Sequence, residues 1–104
     1  MTSKERAQLR AQANTLDPII QIGKEGMSDN LITQVDDTLD VRELIKISVL
    51  QNCGDDPKEL GIMISERTRS QLVQVIGKKI VIYKEAKNEK NRKIVLPKAT
   101  KKQD

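Results

Sequence analysis

Two β-rich runs, Leu72 to Ile76 and Lys79 to Tyr83, are separated by Gly77-Lys78 alone, and no other segment so narrows the folds open to this chain. A two-residue connection containing glycine specifies a tight hairpin, because such turns need positive φ, which glycine adopts without steric cost. The pairing sets Val75 opposite Ile80 and Val73 opposite Ile82 on one side of the sheet. Leu72, Gln74, Ile76, Lys79, Val81 and Tyr83 then share the other. A hairpin alone is marginal in water, so the rest of the chain must cover its apolar side.

Upstream, Ile19, Ile20 and Ile22 read as a short buried strand, and Leu44 to Leu50 alternates, with Ile45, Ile47 and Val49 on one face and Leu44, Lys46 and Ser48 on the other. Three helices separate these strands. The first runs from about Ser3 to Asn14, opened by a Thr2/Glu5 capping box and closed before Asp17-Pro18. Its apolar stripe is thin: Ala7, Leu9, the stem of Arg10, and Ala13. The second starts at Ser28 as cap, with Asp29 favourable to the helix dipole and Leu31, Ile32, Val35 and Leu39 on one face. Asp36, Asp37 and Asp40 fall on its polar face. The third opens at Asp56-Pro57-Lys58-Glu59, with Asp56 as cap and a stripe of Leu60, Met63, Ile64 and the stem of Arg67. Gly61 in its interior costs about 1 kcal/mol against alanine, which close packing on a neighbour or simple tolerance would each explain.

The order helix-strand-helix-strand-helix-strand-strand makes the first three strands parallel through helical crossovers and the fourth antiparallel to its partner. These elements predict an α/β fold: a two-layer arrangement with a four-stranded mixed sheet and the helices on one face. The open face would carry Gln21, Lys46, Gln74 and Tyr83. A length of 104 residues suits one domain, expected over residues 1–97, with Ile94 to Pro97 docking on the body and residues 98–104 forming a basic flexible tail.

Composition removes most chemistries. The chain has no histidine, tryptophan or phenylalanine, one tyrosine and one cysteine. Ser/His/Asp and Cys/His catalysis lack a participant, and a lone Cys53 can form neither an internal disulfide nor a cysteine zinc site. It reads as a passive small residue compatible with a reducing cytoplasm. The three helix-face aspartates lack the loop that holds a hard cation. No metal, cofactor, small-molecule substrate or catalytic residue is expected. No apolar run has the roughly 18 residues of a membrane span, and Met1 to Arg10 lacks the apolar stretch of a secretory signal, so a cytoplasmic protein is expected. The net charge of +4 is unevenly placed: Met1 to Tyr83 holds 11 basic and 12 acidic residues, Lys84 to Asp104 holds 8 and 3. Specific recognition of a polyanion must therefore arise from local placement of cations on the body.

The best place for it is Gly23-Lys24-Glu25-Gly26, between a strand and a helix. Glycines allow close approach of the backbone, the following helix N-terminus offers unpaired amides to an anion, and Lys24 adds a charge, while Glu25 opposes it. The spacing is not that of a nucleotide-hydrolysing phosphate loop. A GxxG between strand and helix resembles the loop with which KH domains clamp a nucleic-acid backbone; a tight strand-to-helix turn is the plainer reading of the same four residues.

Four spaced segments carry a wider resemblance: Arg10-Ala11-Gln12-Ala13; Pro18 to Ser28, read Pro-Ile-Ile-Gln-Ile-Gly-Lys-Glu-Gly-Met-Ser; Glu43-Leu44-Ile45-Lys46-Ile47; and Gln74 to Lys84, read Gln-Val-Ile-Gly-Lys-Lys-Ile-Val-Ile-Tyr-Lys. With the closing Arg92 to Pro97 they resemble the CRM domain, the chloroplast RNA splicing and ribosome maturation domain, in its stand-alone bacterial YhbY-like form. The likeness spans about Lys4 to Pro97. It implies a fold similar to the C-terminal domain of the third bacterial initiation factor, and an RNA-binding role on ribosomal RNA in large-subunit precursor particles, with Gly23 to Gly26 as the family's GxxG loop. Asn14 stands where many relatives carry histidine, and Lys84 where arginine is common; lysine keeps the charge but loses the bidentate fork.

The expected RNA contacts are then Gly23, Lys24, Glu25, Gly26 and Ser28 at the loop, with Arg10, Lys46, Lys78 and Lys84 extending a basic track and Tyr83 stacking on a base. Tyr83 reads equally as a half-exposed strand residue, and Lys46 as a solvated lysine. A monomer is expected. The alternative is a non-catalytic protein-interaction adaptor on ribosomal particles, its basic tail serving solubility.

Overall fold

Thr2 and Glu5 close the start of the first helix reciprocally: Thr2 Oγ1 accepts from the Glu5 amide at 3.1 Å, and the Glu5 carboxylate accepts from the Thr2 amide at 2.8 Å. The computed structural model describes residues 2–87 and 89–92, and this helix, α1, spans Ser3–Ala13 in it. There follow β1 (Ile20–Ile22), α2 (Asp29–Arg42), β2 (Leu44–Val49), α3 (Pro57–Thr68), β3 (Gln71–Ile76) and β4 (Lys79–Tyr83), then a 3-10 turn at Glu89–Asn91. The element order is the expected one. The segment Ile94 to Pro97 and the tail at 98–104 lie outside the described residues.

The strands form one mixed sheet in the order β1-β2-β4-β3. β1 and β2 pair in parallel, and β4, inserted between β2 and β3, is antiparallel to both. Thus β1, β2 and β3 run the same way, as helical crossovers require. Ile20, Ile22, Ile45, Ile47, Val49, Ile80 and Ile82 point to one face and are buried with Leu31, Val35 and Leu39 of α2 and Leu60 and Ile64 of α3.

Gly61 belongs to this packing. A Cβ there would lie 3.1 Å from Leu72 Cδ1, 3.3 Å from Val75 Cγ2 and 3.4 Å from Ile80 Cγ2, so its place is explained by close approach of α3 to the sheet. That approach also rotates the buried stripe to Leu60, Gly61, Ile64, Ser65 and Thr68. Met63, expected inside, is 39% exposed, and the Arg67 side chain reaches out to Asp29 at 3.0 Å. Asp56 makes no side-chain cap bond; Pro57 at the first turn and the Asp56 carbonyl, which accepts from the Leu60 amide, start the helix. Ile19, expected in the buried strand, precedes β1 and is 40% exposed.

The helices do not share one face. Leu44, Val73, Val81 and Tyr83 form a second apolar cluster with Leu9 and Ala13 of α1, and Leu16 packs against it. The sheet thus lies between α2 and α3 on one side and α1 on the other. The expected two-layer arrangement is corrected because the second face is itself apolar over half its length, and Leu9 and Ala13 suffice to cover that half.

The hairpin register also differs in part. Val75 faces Ile80 as expected, but Leu72, not Val73, faces Ile82, because a β-bulge intervenes between Leu72 and Gln74. The extra residue reverses the alternation, sending Val73 to the α1 cluster and Leu72 to the α3 side. Arg6 of α1 donates from Nη1 to the carbonyls of Leu72 and, at 3.1 Å, Val73, satisfying acceptors that the disrupted ladder leaves.

Candidate nucleic-acid interface

Parallel β1, β2 and β3 end on the same side of the sheet, and antiparallel β4 begins there. Three connections consequently converge. The Leu50 amide donates to the Ile22 carbonyl at 2.9 Å and the Val49 amide to the Lys78 carbonyl at 2.7 Å, joining the glycine turn, the segment after β2 and the hairpin turn. The helices α2 and α3 follow β1 and β2, so their N-termini lie at this end, where the partial positive charge of each helix dipole sits.

Gly23 to Gly26 is a tight turn closed by the Gly26 amide donating to the Gly23 carbonyl at 3.1 Å. Lys24 and Glu25 occupy its exposed corner. Gly26 has φ +63°, a conformation that favours glycine, and the end of the exposed Asp55 side chain lies against it. Ser28 caps α2, its Oγ accepting from the Leu31 amide at 3.0 Å. That leaves the amides of Asp29 and Asn30, without intrahelical partners, beside the turn. The local field is mixed, since Glu25, Asp29, Asp55 and Asp56 share this end with the lysines.

Lys24, Lys46, Lys78 and Lys79 form no ion pair with any described residue, whereas Arg67, Lys84 and Arg92 are all paired. Lys46 and Lys79 stand on the α1 side of the sheet, beyond the part α1 covers. Asn14, one turn after the exposed Arg10 and on the same helical face, borders that area.

Two expected contacts are corrected. Tyr83 is 7% exposed in the α1 cluster and has no free ring face for a base to stack on. Burial, reinforced by the Glu43, Glu85 and Glu5 carboxylates, pushes its phenol up to about 12. Lys84 turns inward, donating from Nζ to Asp36 Oδ1 at 3.1 Å and to the Thr68 carbonyl at 2.9 Å. It closes the end of α3 and is not displayed to a phosphate.

Sequence reasoning noted Asn14 only as a departure from the family pattern and did not single out Lys79; the alternation did put Lys79 on the same sheet side as Gln74, and Lys46 was expected on that open face. Among the described residues, no helix is long and apolar enough to cross a membrane, and no group of three His, Cys, Asp or Glu could hold a metal ion.

A four-stranded mixed sheet with a glycine turn between its first strand and second helix defines the class, and the chain belongs to the CRS1/YhbY (CRM) domain family, which matches residues 1–84. Among its relatives, the probable RNA-binding protein YqeI of Bacillus subtilis is 48% identical over 97 residues, covering 93% of this chain and 99% of that protein. An RNA-binding protein of Haemophilus influenzae is 28% identical over 91 residues, 86% of this chain and 91% of its own. The solution structure of the hypothetical protein SAV1595 from Staphylococcus aureus, described as a candidate RNA binder, superposes with a TM-score of 0.75 at 56% identity, covering 93% of this chain and 99% of that one.

Proposed function

We propose that this protein binds RNA through the strand-end edge of its sheet, and that its target is ribosomal RNA in precursors of the large subunit, whose assembly it assists in the cytoplasm as a non-catalytic monomer. One observation carries the reading: Lys24 and Lys78, both exposed and without an ion pair among the described residues, lie where the glycine turn, the hairpin turn and two helix N-termini meet. Relatives named for RNA binding support the same chemistry. In this arrangement Gly23 and Gly26 let a phosphodiester approach the backbone, Lys24 and Lys78 hold phosphates, and the Asp29 and Asn30 amides donate to a phosphate oxygen.

Replacing Lys24 and Lys78 together by alanine tests it. Titrating precursor ribosomal RNA at several salt concentrations, the logarithm of affinity against that of salt should lose about 2 from the magnitude of its slope, one for each phosphate contact removed. The fold should be unaffected, because both side chains are exposed. An unchanged slope and affinity would contradict the reading and favour the adaptor.

A further inference from the structure

The α1 side of the sheet is covered unevenly. Near the start of β2 it is closed, with Leu44, Val73, Val81 and Tyr83 all buried. Toward the glycine turn it is open, and there a cross-strand row of Gln21, Ser48, Lys79 and Ile76 traverses all four strands. Between this row and the end of α1 lies a hollow of about 120 Å3, lined by Asn14, Lys46, Gln74, Ile76, Lys79 and Val81. Pockets for drug-sized ligands run to roughly 300–1,000 Å3, so this one suits a single flat ring.

Its lining is suited to one kind of ring. Val81, 2% exposed, forms an apolar floor, and Ile76 stands at the rim, 60% exposed, a large apolar side chain with no cover. Gln74 and Asn14 each carry a primary amide, which pairs a donor with an acceptor in one plane. Lys46 and Lys79 put two ammonium groups beside the hollow, unpaired among the described residues. An apolar floor, amides for a polar edge and flanking cations together match an unpaired nucleotide.

Resting on the RNA-binding reading above, we infer that this hollow is a base-reading subsite: it takes one unstacked adenine of a single-stranded segment whose backbone continues to the glycine turn. Adenine presents N7 and its N6 amino group as adjacent acceptor and donor, which one Gln or Asn amide meets with both its groups. A purine also offers the larger face to Val81 and Ile76. The hollow centres on β4, two strands or about 10 Å across the sheet from β1, and Gly23 follows Gln21 of β1 by two residues, about 7 Å of strand, so a strand seated here reaches the turn within about three nucleotides. The glycine turn then supplies affinity without regard to sequence, and the hollow supplies preference.

The test uses single-stranded oligomers of A, U and C with the full-length protein, wild type and three variants. Oligo(A) is expected to bind wild type about fivefold or more tighter than oligo(U) or oligo(C). Gln74→Leu should erase that difference and keep the salt slope, whereas the Lys24/Lys78 double alanine should weaken all three alike and keep the difference. Ile76→Ser, at a side chain already exposed, should also reduce the oligo(A) advantage and guards against misfolding of the Gln74 variant. Equal binding of the three oligomers, a pyrimidine preference, or discrimination that survives both substitutions overturns the subsite while RNA binding stands. Absence of RNA binding by wild type overturns both readings.

Discussion

Tyr83 is the chain's sole aromatic side chain, and its surroundings decide its role. Alternation correctly put it on the side away from α2 and α3. What the alternation does not reveal is that α1 lies there, because Leu9 and Ala13 make too thin a stripe to announce a partner. The phenol is consequently held near 12, against an ordinary value of 10.0, chiefly by burial. Since the folded value is the higher, the phenol's contribution to stability is fully present below pH 10 and is lost as pH rises toward about 12. With no tryptophan to obscure it, near-ultraviolet absorbance should show phenolate forming with a midpoint well above 10, and denaturation curves of Tyr83→Phe should lack that part of the alkaline loss. A midpoint at 10 in the folded protein would mean that the ring is open to water.

At the scale of elements, the hairpin turn and its first pairs follow from Gly77-Lys78 and the flanking apolar runs, but the register holds only as far as Gln74. Leu72 and Val73 are both apolar, so either satisfies a core face, and hydrophobicity alone cannot place the bulge. The deciding group is remote in sequence: Arg6, on the opposite side of β3 from α3, accommodates the two carbonyls that the bulge displaces. Arg6→Ala leaves them without that partner and should lower stability by about 1.5–3 kcal/mol, the range for a hydrogen bond to a charged group. In denaturant titrations this appears as a lower midpoint at unchanged m-value, and Arg6→Lys should retain part of the loss. No change in Arg6→Ala would show that the bulge is set by packing of Val73 alone. Gly61 is the converse case, where sequence left two explanations open and the contacts with Leu72, Val75 and Ile80 select one.

For the whole molecule, topology places the glycine turn. Parallel crossovers bring the ends of β1, β2 and β3 to one side, so the location of Gly23 to Gly26 beside the hairpin turn was implicit in the order of elements. The open half of the α1 side, with Gln21, Lys46 and Gln74, was expected as part of a wholly open face; the half that α1 closes was not, since it depends on where a short helix stops relative to a sheet formed from residues far along the chain. Charge counted by segment leaves the body nearly neutral, so what sets Lys24 and Lys78 apart is their place beside the glycine turn and the hairpin turn. The most direct measurement is amide chemical-shift mapping of the labelled protein during titration with precursor ribosomal RNA. Perturbations should concentrate at Gly23 to Asn30, Val49 to Asp55 and Ile76 to Lys79, and fade with added salt. Shifts confined to the exposed faces of α2 and α3, with the glycine turn silent, would contradict the account.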